Sequence, residues 1–390
     1  MNDLFLFRFL FQFGEQYLHG LTYAFSALLL LAFVYCLLKL ELRLNRLDYL
    51  FAAYLIITAA VSVANNCPIS AIVEQYNKLL LFYTAFLCLR QHSIKLVFPK
   101  LYGWFKVAVY ALCTTVFILA LMPTSYVVQW GTRTLIMAFG HQHLAASFIV
   151  LLLSLLYLEM KVSGFAFWKL LFTTAMLVPL FMTGARTIAV CGIAYYVLIA
   201  YDYWGKIKGG QKAFLIVGAA VVVIALIAPN IDSLAFFQKN DNVVGSSFGN
   251  GREDIWAYYI GLYSQYSVPE KLFGTGAGFY LNGYVASTAG NLGAHNDFLT
   301  FLLAYGCFGL VLYVSFVFSC LFKGLFGAKT AVIALVFVFA AGTNGYFGYT
   351  ELVVSTVVMV ICIGYFFDGA EFRRTKMKLP GGINRGDANE

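Results

Sequence analysis

The sequence predicts an all-α, polytopic membrane protein of about 11–12 transmembrane helices, with one large extramembrane loop between late helices. Three observations predict it. Hydrophobic residues make up 61% of the 390-residue chain and charged residues 11%, at a mean hydropathy of +0.80, which excludes a surface wetted on all sides. Apolar segments of near-spanning length recur about eleven times, where a hydrocarbon core about 30 Å thick needs roughly 20 helical residues. Lys and Arg gather in alternate loops between those segments, the pattern that orients a bundle.

In chain order, residues 1–17 are expected as an interfacial or re-entrant segment, apolar but too short to span. The apolar run is led by Asp3, not by lysines, and no small-residue cleavage site follows, so no cleavable leader is expected. A bundle over 18–228 follows, with spans at 18–40, 48–64, 71–89, 103–121, 134–158, 165–182, 187–203 and 213–228. Residues 229–297 form the loop, 298–368 carry spans at 298–322, 331–342 and 352–367, and 369–390 are a tail. Lys39, Arg43 and Arg46, Arg90 to Lys100, Lys161 and Lys169, Lys206 to Lys212, Lys323 and Lys329, and the tail cations mark the cytoplasmic side. The 229–297 loop therefore faces outward, to the periplasm in a Gram-negative cell. The net charge of +8 then reflects topology and anionic lipid rather than nucleic acid.

With the cytoplasmic set removed, the outward cations Arg133, Arg186, Lys239, Arg252 and Lys271 stand out. Arg186 lies in a tight turn between two apolar spans, Thr183-Gly184-Ala185-Arg186-Thr187, where it can snorkel to lipid headgroups or bind phosphate. Arg252 follows a Gly-rich turn, and a helix starting there puts Trp256 one turn on along the same face. A surface pair with Glu253 or Asp254 is its structural alternative. His295 immediately precedes a span; Asn296 or Asp297 can cap that helix, or orient the imidazole as a base. An arginine and a histidine in one loop are the pairing that holds a phosphorylated lipid while a hydroxyl attacks it. That favours an enzyme over a channel.

Other chemistries fit poorly. Gly274-Thr275-Gly276-Ala277-Gly278 lacks the lysine of a nucleotide site and is expected as a flexible loop. His141 and His143, two residues apart, would point to different sides of a helix and have no nearby carboxylate or cysteine, so they are expected to line a polar groove, not a metal. The cysteines lie mostly inside spans, which argues against a disulfide framework. Outward acids are sparse, and no metal or cofactor is expected. Tyr258, Tyr259, Tyr263, Tyr266, Tyr280 and Tyr284 can stack on sugar rings or form an interfacial aromatic belt.

The order of Thr183 to Thr187, Gly251-Arg252 with Ile255-Trp256, Pro269, Phe273 to Gly276, His295-Asn296-Asp297-Phe298-Leu299, Tyr305-Gly306 and Gly309 resembles the O-antigen ligase/polymerase superfamily, which includes Wzy-type polymerases and WaaL-type ligases. The resemblance covers about half the chain; the N-terminal part agrees mainly in hydropathy. It departs at 1–13, which is short where relatives commonly carry a full helix. It implies a GT-C-like membrane glycosyltransferase of the bacterial inner membrane, acting on undecaprenyl-pyrophosphate-linked glycans at a periplasmic site. Arg186 and Arg252 then match the family's pyrophosphate-binding arginines and His295 its histidine base, with Asn296, Asp297, Trp256 and Arg133 in support. The implied partners are lipid-linked oligosaccharide donor and acceptor, membrane lipids and a chain-length regulator protein.

A polymerase moves a growing glycan onto the non-reducing end of a lipid-linked repeat unit, whereas a ligase moves finished glycan onto lipid A-core. The run from His295 to Gly309 looks more like polymerases. A transporter or flippase for the same lipid predicts internal repeats, which the chain does not display. A channel predicts a span lined by polar groups at helical spacing, also absent from the sequence.

Overall fold

The computed structural model describes residues 46–69, 102–129, 132–212, 252–277, 294–322 and 328–346, with single positions or short runs at 24, 27, 28, 31, 72, 76, 349, 352–356, 358, 359 and 362. The expected spans 18–40, 71–89 and 213–228 lie wholly or mostly outside these residues, as do half of 352–367 and most of the 229–297 loop.

The architecture is helical: α1 Arg46–Ala64, α2 Tyr102–Leu121, α3 Gln142–Ser163, α4 Phe167–Ala175, α5 Leu177–Met182, α6 Arg186–Tyr203, α7 Arg252–Ser264, α8 Val268–Phe273, α9 Asp297–Phe322 and α10 Ala328–Thr343. Four described helices are long and apolar enough to cross a membrane: Gly103–Leu121, Gln142–Ser163, Arg186–Lys206 and Asp297–Ser315. Asp48–Ala64, Phe167–Met182 and Ala331–Thr343 are shorter apolar helices. This is a polytopic all-α membrane protein. Of the four, α3 is the central one, with 89% of its apolar window buried by protein against 28% for Gly103–Leu121, which leaves α2 facing outward. α2, α5 and α6 pack on α3, and α10 packs between α6 and α9.

The structure refines several sequence expectations. The span expected at 134–158 begins later, because Thr132–Leu135 is strand β2, antiparallel to β1, Tyr126–Gln129, with Val128 opposite Arg133 and Val127 opposite Thr134. Positive φ at Met137 and Gly140 then keeps the chain out of a helix until His141 caps α3. The span at 165–182 is two helices meeting at Met176, since the Pro179 ring is incompatible with a helical carbonyl at Ala175. Lys169, counted among the cations that mark the cytoplasmic side, is buried: its Nζ lies 3.0 Å from Glu159 Oε2. The Tyr110 hydroxyl donates to the same carboxylate at 3.0 Å, joining α2, α3 and α4 around one neutralised charge pair.

The span at 298–322 is broken inside the apolar layer, at Gly306 (φ 67°, ψ −170°). Breaking a helix frees carbonyls, which cannot be left bare among lipid. Leu303 O accepts from Thr275 N–H at 3.2 Å and Ala304 O from Gly276 N–H at 2.9 Å, and Tyr305 O accepts from the Tyr54 hydroxyl at 3.1 Å. The Gly274 to Ala277 stretch is therefore no flexible loop. It is strapped to α9 by its backbone, and Ala277 N–H donates to Ser62 Oγ of α1 at 2.9 Å. The approach admits no side chain: a Cβ on Gly274 would lie 2.2 Å from Ala304 O, and one on Gly306 2.3 Å from the Leu272 carbonyl.

Candidate active site

Arg252 and Trp256 both lie on α7, one turn apart and so on one face. Arg252 Nη2 donates to Asn344 Oδ1 at 3.1 Å, and Nη1 donates to the Thr343 carbonyl at the end of α10. Two anchors on successive residues fix the plane of the guanidinium. One turn along, Trp256 Nε1 donates to Ala294 O at 2.9 Å. Arg252 and Trp256 thus tie α7 both to the end of α10 and to the residue before His295.

The start of α9 is stitched to the same corner. Asn296 Oδ1 caps the helix by accepting from Leu299 N–H at 3.1 Å, while its Nδ2 donates to Gly342 O at 3.1 Å. Asp297 Oδ2 accepts from the Tyr346 backbone N–H at 2.6 Å and from the Tyr313 hydroxyl at 3.2 Å. Asn296 and Asp297 therefore serve as cap and clamp. Between them and Ala294, His295 adopts the left-handed backbone, φ 47°, a conformation that costs a non-glycine residue roughly 1–2 kcal/mol. The pinned neighbours on both sides hold it there.

Burial lowers the His295 pKa below the ordinary imidazole value, and the positive charge of Arg252 and a charged His141 would lower it further. A neutral imidazole is the resulting state near neutral pH, and a neutral imidazole accepts protons. His141 is the cap of α3; its Nδ1 accepts from His143 N–H at 3.2 Å, and burial holds its pKa down too. Because His141 lies before the helix, the two rings do not diverge: their centroids are 5.0 Å apart. The His143 ring is 5.8 Å from that of Tyr349, whose hydroxyl accepts from Asn344 Nδ2 at 3.1 Å.

The structure thus unites Arg252, Trp256, His295, Asn296 and Asp297 with His141, His143, Asn344 and Tyr349. Sequence reading singled out the two extra histidines but had them diverging on a helix; Asn344 and Tyr349 carried no signal, since only α10 docking brings them in. Among the described residues no group of three or more His, Cys, Asp or Glu could hold a metal ion. Arg186 is the first residue of α6 and is exposed. The Arg133 guanidinium lies 4.5 Å over the Tyr126 ring, whose hydroxyl reaches Met182 Sδ at 3.6 Å, so the hairpin borders the turn leading to Arg186. Several candidate sugar-stacking tyrosines are engaged in the fold: Tyr259 is fully buried and the Tyr263 hydroxyl donates to Lys271 O at 3.0 Å. Tyr258 is exposed; Tyr280 and Tyr284 lie outside the described residues.

Residues 171–314 match a family model described as O-antigen ligase. The match runs from α4 into the second half of α9 and takes in Arg186, Arg252, Trp256, His295, Asn296 and Asp297. Arg133, His141 and His143 precede it, and Asn344 and Tyr349 follow it. It supports the O-antigen ligase/polymerase superfamily, and with it a multi-pass membrane enzyme of surface-polysaccharide assembly that uses lipid-linked oligosaccharides. No curated protein matches the chain.

Proposed function

We propose that the protein is a polysaccharide polymerase of the bacterial inner membrane. It transfers a growing glycan from undecaprenyl pyrophosphate to the non-reducing end of an undecaprenyl-pyrophosphate-linked repeat unit, at a site facing the periplasm. The observation that carries this reading is the anchoring of Arg252 and Trp256 to the corner that holds a half-buried His295, whose pKa burial and the Arg252 charge hold down. His295 takes the proton of the acceptor hydroxyl as its oxygen attacks the anomeric carbon of the donor, and the pyrophosphate departs under Arg252 and Arg186. Asn344 and the Thr343 carbonyl keep the Arg252 fork in place. The reading adds no role for a metal, because pyrophosphate is already a good leaving group. A chain-length regulator is the protein partner this reading implies.

The description of the matching family favours a second reading, transfer of the finished glycan to lipid A-core by a ligase. Both use the same base and the same arginines and differ only in acceptor. The lipopolysaccharide ladder of a deletion strain separates them. A polymerase mutant keeps one repeat on the core and loses the ladder; a ligase mutant shows bare core and accumulates lipid-linked polymer. An unchanged ladder overturns both.

A further inference from the structure

His143 Nδ1 is buried and has no hydrogen-bond partner among the described residues. Native proteins rarely leave such an atom unpaired. Its neighbours come from several elements: the His141 ring, 5.0 Å away, from the loop before α3, and the Tyr349 ring, 5.8 Å away, from beyond α10. Tyr349 is bonded to the same Asn344 that anchors Arg252. Arg252 of α7 lies close enough for its charge to act on His143. Asp297, the acid of this corner, has its Oδ2 turned to Tyr346 and Tyr313. His141 and His143 are thus linked through Tyr349 and Asn344 to the corner that holds the Arg252 guanidinium, a setting for an anion. A neutral imidazole N–H can bond such an anion without repelling the arginine that holds it.

We propose that His143 is a further binding residue of this site, its Nδ1–H donating to a phosphate oxygen of the diphosphate that Arg252 holds. This rests on the pyrophosphate reading above.

The test uses the purified full-length protein in nanodiscs and measures binding of undecaprenyl pyrophosphate, with excess phosphatidylglycerol as competitor. His143→Ala and His143→Gln are expected to weaken binding about tenfold, the loss of one charge-assisted hydrogen bond, whereas His143→Asn, whose amide nitrogen takes the Nδ1 position, stays within about threefold of wild type. A His143→Ala protein that binds as wild type does, while Arg252→Ala binds weakly, overturns this inference and leaves the pyrophosphate reading standing. An Asn variant as weak as the Ala variant, at an unchanged thermal midpoint, overturns the Nδ1 contact. Displacement by phosphatidylglycerol shows an ordinary lipid-headgroup site and overturns the diphosphate assignment. Absence of binding by the wild-type protein overturns both readings together.

Discussion

Arg252 and Asn344, 92 positions apart in the chain, are joined by a 3.1 Å bond from Nη2 to Oδ1. It places the guanidinium at the end of α10, beside the segment that carries His295. A side chain so anchored meets an anion with its orientation already set, which lowers the entropy lost on binding.

Lysine at position 252 keeps the charge but cannot reach both Thr343 O and Asn344 Oδ1 while gripping a phosphate. Arg252→Lys and Arg186→Lys are each expected to lower turnover about tenfold to a hundredfold. Asn344→Ala, which leaves the arginine in place, should show a smaller loss in the same direction. Polymer formation by purified protein from lipid-linked repeat units measures all three; normal rates in both lysine variants would reduce Arg186 to a headgroup snorkel and Arg252 to a structural tie between α7 and α10.

His295→Ala and His295→Gln should each lower turnover about 10²–10⁴-fold with donor binding retained, since glutamine accepts no proton at neutral pH. Full activity in the Gln variant assigns the residue to positioning alone.

The pH dependence carries its own sign. The working form of His295 is neutral, and burial, then Arg252, then His141 depress its pKa. Activity should hold through neutrality and fall with acid only below the ordinary imidazole value of about 6.5. Arg252→Gln removes a depressing charge, so the residual activity should begin to fall at higher pH than in wild type. A limb that stays put or moves to lower pH contradicts the coupling.

Gly306→Ala and Gly274→Ala place a Cβ against backbone atoms 2.2–2.3 Å away, and the positive φ adds roughly 1–2 kcal/mol of strain. Both should lower the thermal midpoint sharply. Gly261→Ala, on α7 with nothing within 4 Å of the new Cβ, should be neutral or stabilising by up to about 1 kcal/mol. Equal midpoints for the three variants would mean that the strap between α8 and α9 contributes nothing.

Asn242→Cys in a cysteine-depleted protein should be labelled from the periplasm and Lys208→Cys should not, as the distribution of lysine and arginine requires. The reverse pattern removes the proposed site from the periplasm.

The sequence by itself determined the membrane class, because apolar length and composition suffice for that. It also determined that Arg252 and Trp256 share a helix face and that Asn296 or Asp297 caps α9, because each is a local signal within a few residues. The residues Arg252 and His295 could be singled out, since a cation and an imidazole between apolar spans are conspicuous. Only the tertiary structure decided the rest. Hydropathy does not register where a hairpin delays α3, where Pro179 splits a span, or where Gly306 opens α9 so that Thr275 and Gly276 can occupy its carbonyls. Nor could it bring Asn344, Tyr349, His141 and His143 to Arg252. Those meetings depend on α10 packing between α6 and α9, and contacts over such distances arise from burial of whole helix faces, which no local pattern encodes.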